Sequence, residues 1–170
     1  MSLPSRETEM RASADAASNF ADAYYEALNR RKQGGTLEKF YTTTCSKYPS
    51  PPDISINGAV LQGGPDEYVA LLDAQGADVH HEVESLDAHV VNSDFSLGCP
   101  EHLQRGDEKG AKCSIMAQVT GRVHYGRGRD APAKTFNEVF VLVPNWDTFG
   151  KNPPRGARRW LIMSQNFRAL

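Results

Sequence analysis

"KTFNEVFVLV", residues 134–143, is the stretch on which the fold turns. Its Val and Phe content reads as a β-strand, yet alternate positions give two apolar faces. Phe136, Phe140 and Leu142 lie on one parity, Val139, Val141 and Val143 on the other. A strand in an antiparallel sheet needs only one apolar face for its own core, so the pattern predicts a covering layer on each side.

Working outward, residues 78–91 (DVHHEVESLDAHVV), 112–126 (KCSIMAQVTGRVHYG), 134–146 and 158–170 (RRWLIMSQNFRAL) read as long strands joined by loops rich in Gly and Pro. Upstream the period changes. Ala17, Phe20, Ala21, Tyr24, Ala27 and Leu28 recur at helical spacing and predict a helix over 13–32, capped by Ser13 and ended by Gly34 and Gly35. "TLEKFY" (36–41) adds one or two helical turns with Leu37, Phe40 and Tyr41 toward the core. In "ISINGAVLQG" (54–63), Asn57-Gly58 between apolar runs is a strong hairpin signal. "GPDEYVALLDAQG" (64–76) restarts a helix with Pro65 at its first position and Tyr68, Val69, Leu71 and Leu72 as its buried side. Helices segregated in sequence from consecutive long strands predict an α+β fold, with helices packed on one face of a curved antiparallel sheet.

A chain of 170 residues suits one domain, here 13–170 after a flexible N-terminal 1–12. No apolar run has the length of a membrane span, and "MSLPSRETEM" lacks a secretory apolar stretch, so a soluble intracellular protein is expected. Cys45, Cys99 and Cys113, odd in number and far apart, argue against a disulfide framework. The net charge of −2 is unevenly spread. Residues 1–104 hold 16 acids and 7 bases, residues 105–170 hold 5 acids and 12 bases, giving −9 and +7. Pairing of the two halves within the fold is the favoured reading, and a positive surface for a polyanion is the alternative.

The order "FADAYYEALNRRK" (20–32), "FYTTTCSKY" (40–48), "ISINGAVLQGGPDEYVALL" (54–72), "TFNEVFVL" (135–142) and "WLIMSQNFRAL" (160–170) resembles the nuclear transport factor 2-like superfamily. Within it, the chain is similar to the small subunit of the mRNA-export receptor heterodimer, and the insertions at 92–111 and 144–158 look like those of the fungal type. The resemblance implies a cone-shaped fold whose helices close one side of the sheet, the other side packing on a similar domain of the large subunit. It also implies passage of messenger ribonucleoprotein through nuclear pores, shuttling between nucleus and cytoplasm, nucleoporin contact through the heterodimer, some RNA-binding surface, no cofactor and no catalysis.

The strands supply a matching outer face. In 112–126, Cys113, Ile115, Ala117, Val119, Gly121 and Val123 suit a core, leaving Met116, Gln118, Thr120 and Arg122 outside. In 134–143, Asn137, Val139 and Val141 lie outside. In the last strand Leu161, Met163, Gln165 and Phe167 are assigned inward, and Ile162, Ser164, Asn166 and Arg168 outward. Met and Arg are typical of interface cores, and Arg168 is suited to a carboxylate on the partner.

Other readings carry less. Cys99-x-x-His102 lacks a second ligand pair, and His80 and His81 point to opposite faces of a strand, so no metal site is expected. Glu138 is assigned inward among Phe136 and Phe140, where desolvation would raise its pKa. Hydrogen bonding to Tyr hydroxyls is preferred there over a general base of the kind used by enzymes of this superfamily. Arg127 and Arg129 near Tyr125, and Arg155, Arg158 and Arg159 near Trp160, are candidate RNA contacts.

Overall fold

The computed structural model describes residues 3–76, 78–104 and 109–170. Helix α1, Arg6–Asn29, begins earlier than the Ser13 start expected from periodicity. The Ser5 hydroxyl accepts the Thr8 N–H at 3.2 Å, and Glu7 and Glu9 sit in the positive first turn. Residues 6–12, expected to precede the domain, are therefore helical. Ala17, Phe20, Ala21, Tyr24 and Leu28 form the buried stripe. A short 3-10 turn, Arg31–Gln33, follows, and Gly34 leaves it at φ 96°, a conformation that favours glycine. "TLEKFY" and its continuation form two more 3-10 turns, Glu38–Phe40 and Thr42–Thr44, with Leu37, Phe40 and Tyr41 buried.

Strands β1 (Asp53–Ile56) and β2 (Ala59–Val60) make the expected hairpin, with Asn57 at φ 51° and Gly58 at φ 86°. Helix α2 (Gly64–Ala74) buries Tyr68 and Leu72, but Leu71, expected on the same side, is 38% exposed. Then come β3 (Val79–Asn92), β4 (Ser114–Tyr125), β5 (Ala133–Pro144) and β6 (Trp160–Ala169). The sheet order is β2-β1-β6-β5-β4-β3. All pairs are antiparallel except β1–β6, which is parallel. No hairpin joins those two, because the rest of the sheet lies between them in sequence.

The main core lies between the inner sheet face and the helical layer, where Phe20, Tyr24, Phe40 and Phe140 pack edge-to-face at 5.1–6.1 Å between ring centroids. Along β6 the expected alternation fails at one point. Val141 pairs with Ser164 but Leu142 pairs with Ile162, so Met163 is an extra residue in the strand. This bulge exchanges inside and outside over the first part of β6. Ile162, expected on the outer face, is fully buried in the main core, while Leu161 and Met163, expected inward, lie on the outer side with Val143.

There a second cluster covers them. Cys45, Tyr48, Cys99 and Trp146 are buried over Val143 and Leu161, with Phe95, Leu103 and Phe149 packed at the margin. The two insertions thus meet over one end of the sheet. Trp146 stacks on Phe95 at 6.3 Å and donates its indole N–H to Leu97 O at 3.0 Å, and Asn145 Nδ2 donates to Arg158 O at 2.8 Å. Residues 105–108 of the first insertion lie outside the described residues.

Candidate interaction surface

Beyond this second cluster no layer of the described residues covers the outer face. Strand register places its side chains in rows across β4, β5 and β6. The rows are Met116–Val141–Ser164, Gln118–Val139–Asn166 and Thr120–Asn137–Arg168. Ten of the eleven residues assigned to the outer face therefore hold outer-face positions, Arg122 lying one row further on, and Ile162 drops out. β3 extends the rows with His89, Asp87 and Ser85.

The patch is half-exposed at Met116, Thr120, Asn137, Val139, Val141 and Ser164, and exposed at Gln118, Arg122, Asn166 and Arg168. Cross-strand shading keeps the two valines from full exposure but covers neither. Its polar members sit around this apolar centre, the anatomy of a protein interface. Arg122 also meets Glu84 at 3.3 Å, His124 meets Glu82 at 3.1 Å, and Arg127 meets Asp78 at 3.0 Å. These pairs join the acidic first half of the chain to the basic second half. Exposed as they are, each adds little stability.

The inner face under the patch is closed by a polar network. Both oxygens of the wholly buried Glu138 accept hydrogen bonds, from Tyr25 Oη at 2.6 Å and Gln165 Nε2 at 2.7 Å. Gln165 Nε2 also donates to Tyr24 Oη at 2.8 Å, and its Oε1 accepts from Tyr41 Oη at 2.6 Å. Burial pushes the Glu138 carboxyl up to about 7, against the opposing pull of the Tyr25 and Gln165 bonds. His81, packed between the rings of Phe136 and Phe167, is driven down to about 3 by burial, with Arg31 and His80 adding to the effect. Its imidazole is held neutral. A general base needs an oxygen open to substrate; here both are engaged by the chain's own side chains.

The candidate RNA-contacting arginines divide. Arg127, Arg129 and Arg155 are exposed. Arg158 lies over the Phe40 ring at 5.3 Å, and Arg159 lies over Phe149 at 3.8 Å while donating to Ala111 O at 2.8 Å. Those two help hold the insertions down. Among the described residues no group of three His, Cys, Asp or Glu side chains is placed to hold a metal ion, and no helix is long and apolar enough to cross a membrane.

Comparison with solved structures decides the family. A chain of the Chaetomium thermophilum complex of the Mex67 NTF2-like domain with Mtr2 superposes at a TM-score of 0.80 with 31% identity, over 93% of this chain and 98% of that one. The chain belongs to the Mtr2 family. A structure of Mtr2 itself superposes at 0.77 with 28% identity, over 91% and 97% of the two chains. A complex of a Sac3N peptide with Mex67:Mtr2 gives 0.82 with 29% identity, over 93% and 99%. Nuclear transport factor 2 of Cryptosporidium parvum, at 0.53 and 19% identity, shares the fold. No protein-family model and no curated protein sequence matches the chain. The Mtr2 family is the small-subunit type, with a nuclear transport factor 2-like fold, that the order of elements indicated.

Proposed function

We propose that this protein is the non-enzymatic small subunit of a heterodimeric mRNA-export receptor, and that its outer sheet face seats the nuclear transport factor 2-like domain of a Mex67-type large subunit. The observation that carries this reading is the half-exposed patch centred on Val139 and Val141, left open beside an outer layer that the chain builds elsewhere from its own insertions. An apolar centre with a polar rim is stabilised by a partner more than by water. Its neighbours Mtr2 and Mex67:Mtr2 supply the partner class. On this reading the protein shuttles with its partner between nucleus and cytoplasm and meets nucleoporins through the heterodimer. The exposed Arg127, Arg129 and Arg155 add weak, salt-dependent RNA contact.

Co-expression with the nuclear transport factor 2-like domain of a Mex67-type protein, followed by sedimentation, tests the pairing. A 1:1 complex is expected. A chain that stays a stable monomer at micromolar concentration beside that domain would contradict it.

A further inference from the structure

β3 is the free edge of the sheet opposite β2, and an edge strand presents unpaired N–H and C=O groups. The chain closes one half of this edge with side chains. Asn29 Nδ2 donates to His81 O at 2.8 Å while its Oδ1 accepts the His81 N–H at 2.8 Å, as a neighbouring strand would. Arg31 Nη1 donates to Val79 O at 3.0 Å. These bonds fix the phase: Val79 and His81, opposite Tyr125 and Val123, turn their backbone groups away from β4. The register shifts of this pair fall on β3, so Val119, Ala117 and Ile115 keep that phase along β4. Their partners Leu86, Ala88 and Val90 must likewise turn N–H and C=O to the free edge.

Among the described residues no side chain takes up those groups as Asn29 and Arg31 do further along. Beside them runs a groove of about 820 Å³, with Met10, Ala14 and Ala17 of α1 and Leu86, Ala88 and Val90 as its apolar part and Arg6, Glu9 and His89 also on its wall. Met10 is 64% exposed there. Asp87 stands at the rim and makes no ion pair among the described residues, whereas Glu82 and Glu84 meet His124 and Arg122.

We propose that the Leu86–Val90 edge receives an extended segment of a partner protein as an added strand, one with apolar side chains at alternate positions and a Lys or Arg between them. Backbone pairing supplies affinity and the side-chain alternation supplies selectivity. Inward side chains of the segment meet Met10, Leu86, Ala88 and Val90, which selects apolar residues. Outward ones flank Asp87, which selects a base. The inference does not rest on the partner of the outer face, although Asp87 also ends the Gln118–Val139–Asn166 row there.

The test uses the full chain and a labelled octapeptide, Lys-Val-Thr-Val-Lys-Val-Thr-Val, with Glu in place of Lys as its counterpart, read by fluorescence anisotropy. The Lys peptide should bind about tenfold or more tighter than the Glu peptide, and Asp87→Lys should reverse that order. Ala88→Pro removes an N–H that the β3–β4 ladder does not use, so it is tolerated at the edge and should weaken the Lys peptide by about tenfold. Amide exchange on the unaltered chain keeps the test independent of that variant's folding: peptide should protect Leu86, Ala88 and Val90. Absence of binding up to about 1 mM, unchanged binding to a folded Ala88→Pro chain, or no protection of those amides would overturn the proposal. So would a concentration-dependent dimer that Ala88→Pro dissolves, since the occupant would then be a second copy of the chain.

Discussion

On its inner face β5 buries Phe136, Glu138, Phe140 and Leu142 completely, whereas on its outer face only Val143 is as deeply buried and Val139 and Val141 stay half-exposed. The inner layer is built by helices and buries the Glu138 carboxyl with each of its oxygens matched to a donor. The outer layer is built by two insertions together with Cys45 and Tyr48, and stops after Val143. One strand therefore separates what the chain covers itself from what, on the proposed reading, it leaves to another chain. On that reading an apolar side chain that its own chain covers serves stability, and one left half-covered in an ordered row serves assembly.

That division can be broken from either side. Trp146→Ala strips the outer layer from Val143 and Leu161, and should cost about 3–5 kcal/mol in urea unfolding of the chain; a loss under about 1 kcal/mol would mean the insertions do not form a core. Glu138→Ala leaves the Tyr25 hydroxyl and the Gln165 amide short of an acceptor inside the inner layer, with an expected cost of about 2–4 kcal/mol by the same measurement.

The inner network also sets a pH dependence. Glu138 holds its proton more tightly folded than unfolded, so its stabilisation is full below its ordinary 4.5 and is lost as the pH rises through about 7. His81 acts oppositely: its contribution is present above its ordinary 6.5 and is lost as the pH falls through about 3. Between pH 4.5 and 6.5 the two slopes offset each other. Glu138→Gln should uncover stability that rises with pH there, and His81→Phe stability that falls, each by up to about 1.4 kcal/mol per pH unit. Unfolding curves of both variants that stay parallel to the original would show that neither group titrates as described.

On the surface the effects are smaller. Arg129→Ala with Arg155→Ala should weaken single-stranded RNA binding a few-fold and lower its salt slope by about 1–2, leaving stability within about 0.5 kcal/mol. Arg159→Ala should do the reverse, because its guanidinium lies on Phe149 and bonds Ala111 O.

Much of this was legible in the sequence, because period-2 and period-3.6 patterns report which side chains meet the core. Tyr24, Phe40, Phe136 and Phe140 could be placed that way, and the inward Glu138 could be matched to Tyr hydroxyls. Three features were not legible. Residues 6–12 hold only Met10 and Ala12 as apolar residues and carry no apolar stripe, so the helix start rests on the Ser5 cap and the acidic first turn. In "WLIM" (160–163) both parities are equally apolar, so alternation cannot reveal the extra residue at Met163 that buries Ile162. The insertions read as loops from their Gly and Pro, although Phe95, Trp146 and Phe149 within them were a signal of a second core that composition alone cannot place. Of the outer patch, the rows on β4 and β5 and their ends at Ser164, Asn166 and Arg168 on β6 followed directly from alternation, and only Ile162, before the bulge, needed the register.

On the proposed reading the open rows are a partner surface and not a solvated sheet face. The direct test is Val139→Asp combined with Arg168→Glu, measured as co-purification with the nuclear transport factor 2-like domain of a Mex67-type large subunit, with urea unfolding of the chain as a control. Loss of co-purification with chain stability changed by less than about 1 kcal/mol is the predicted result; retained co-purification would contradict the account and move the interface off this face.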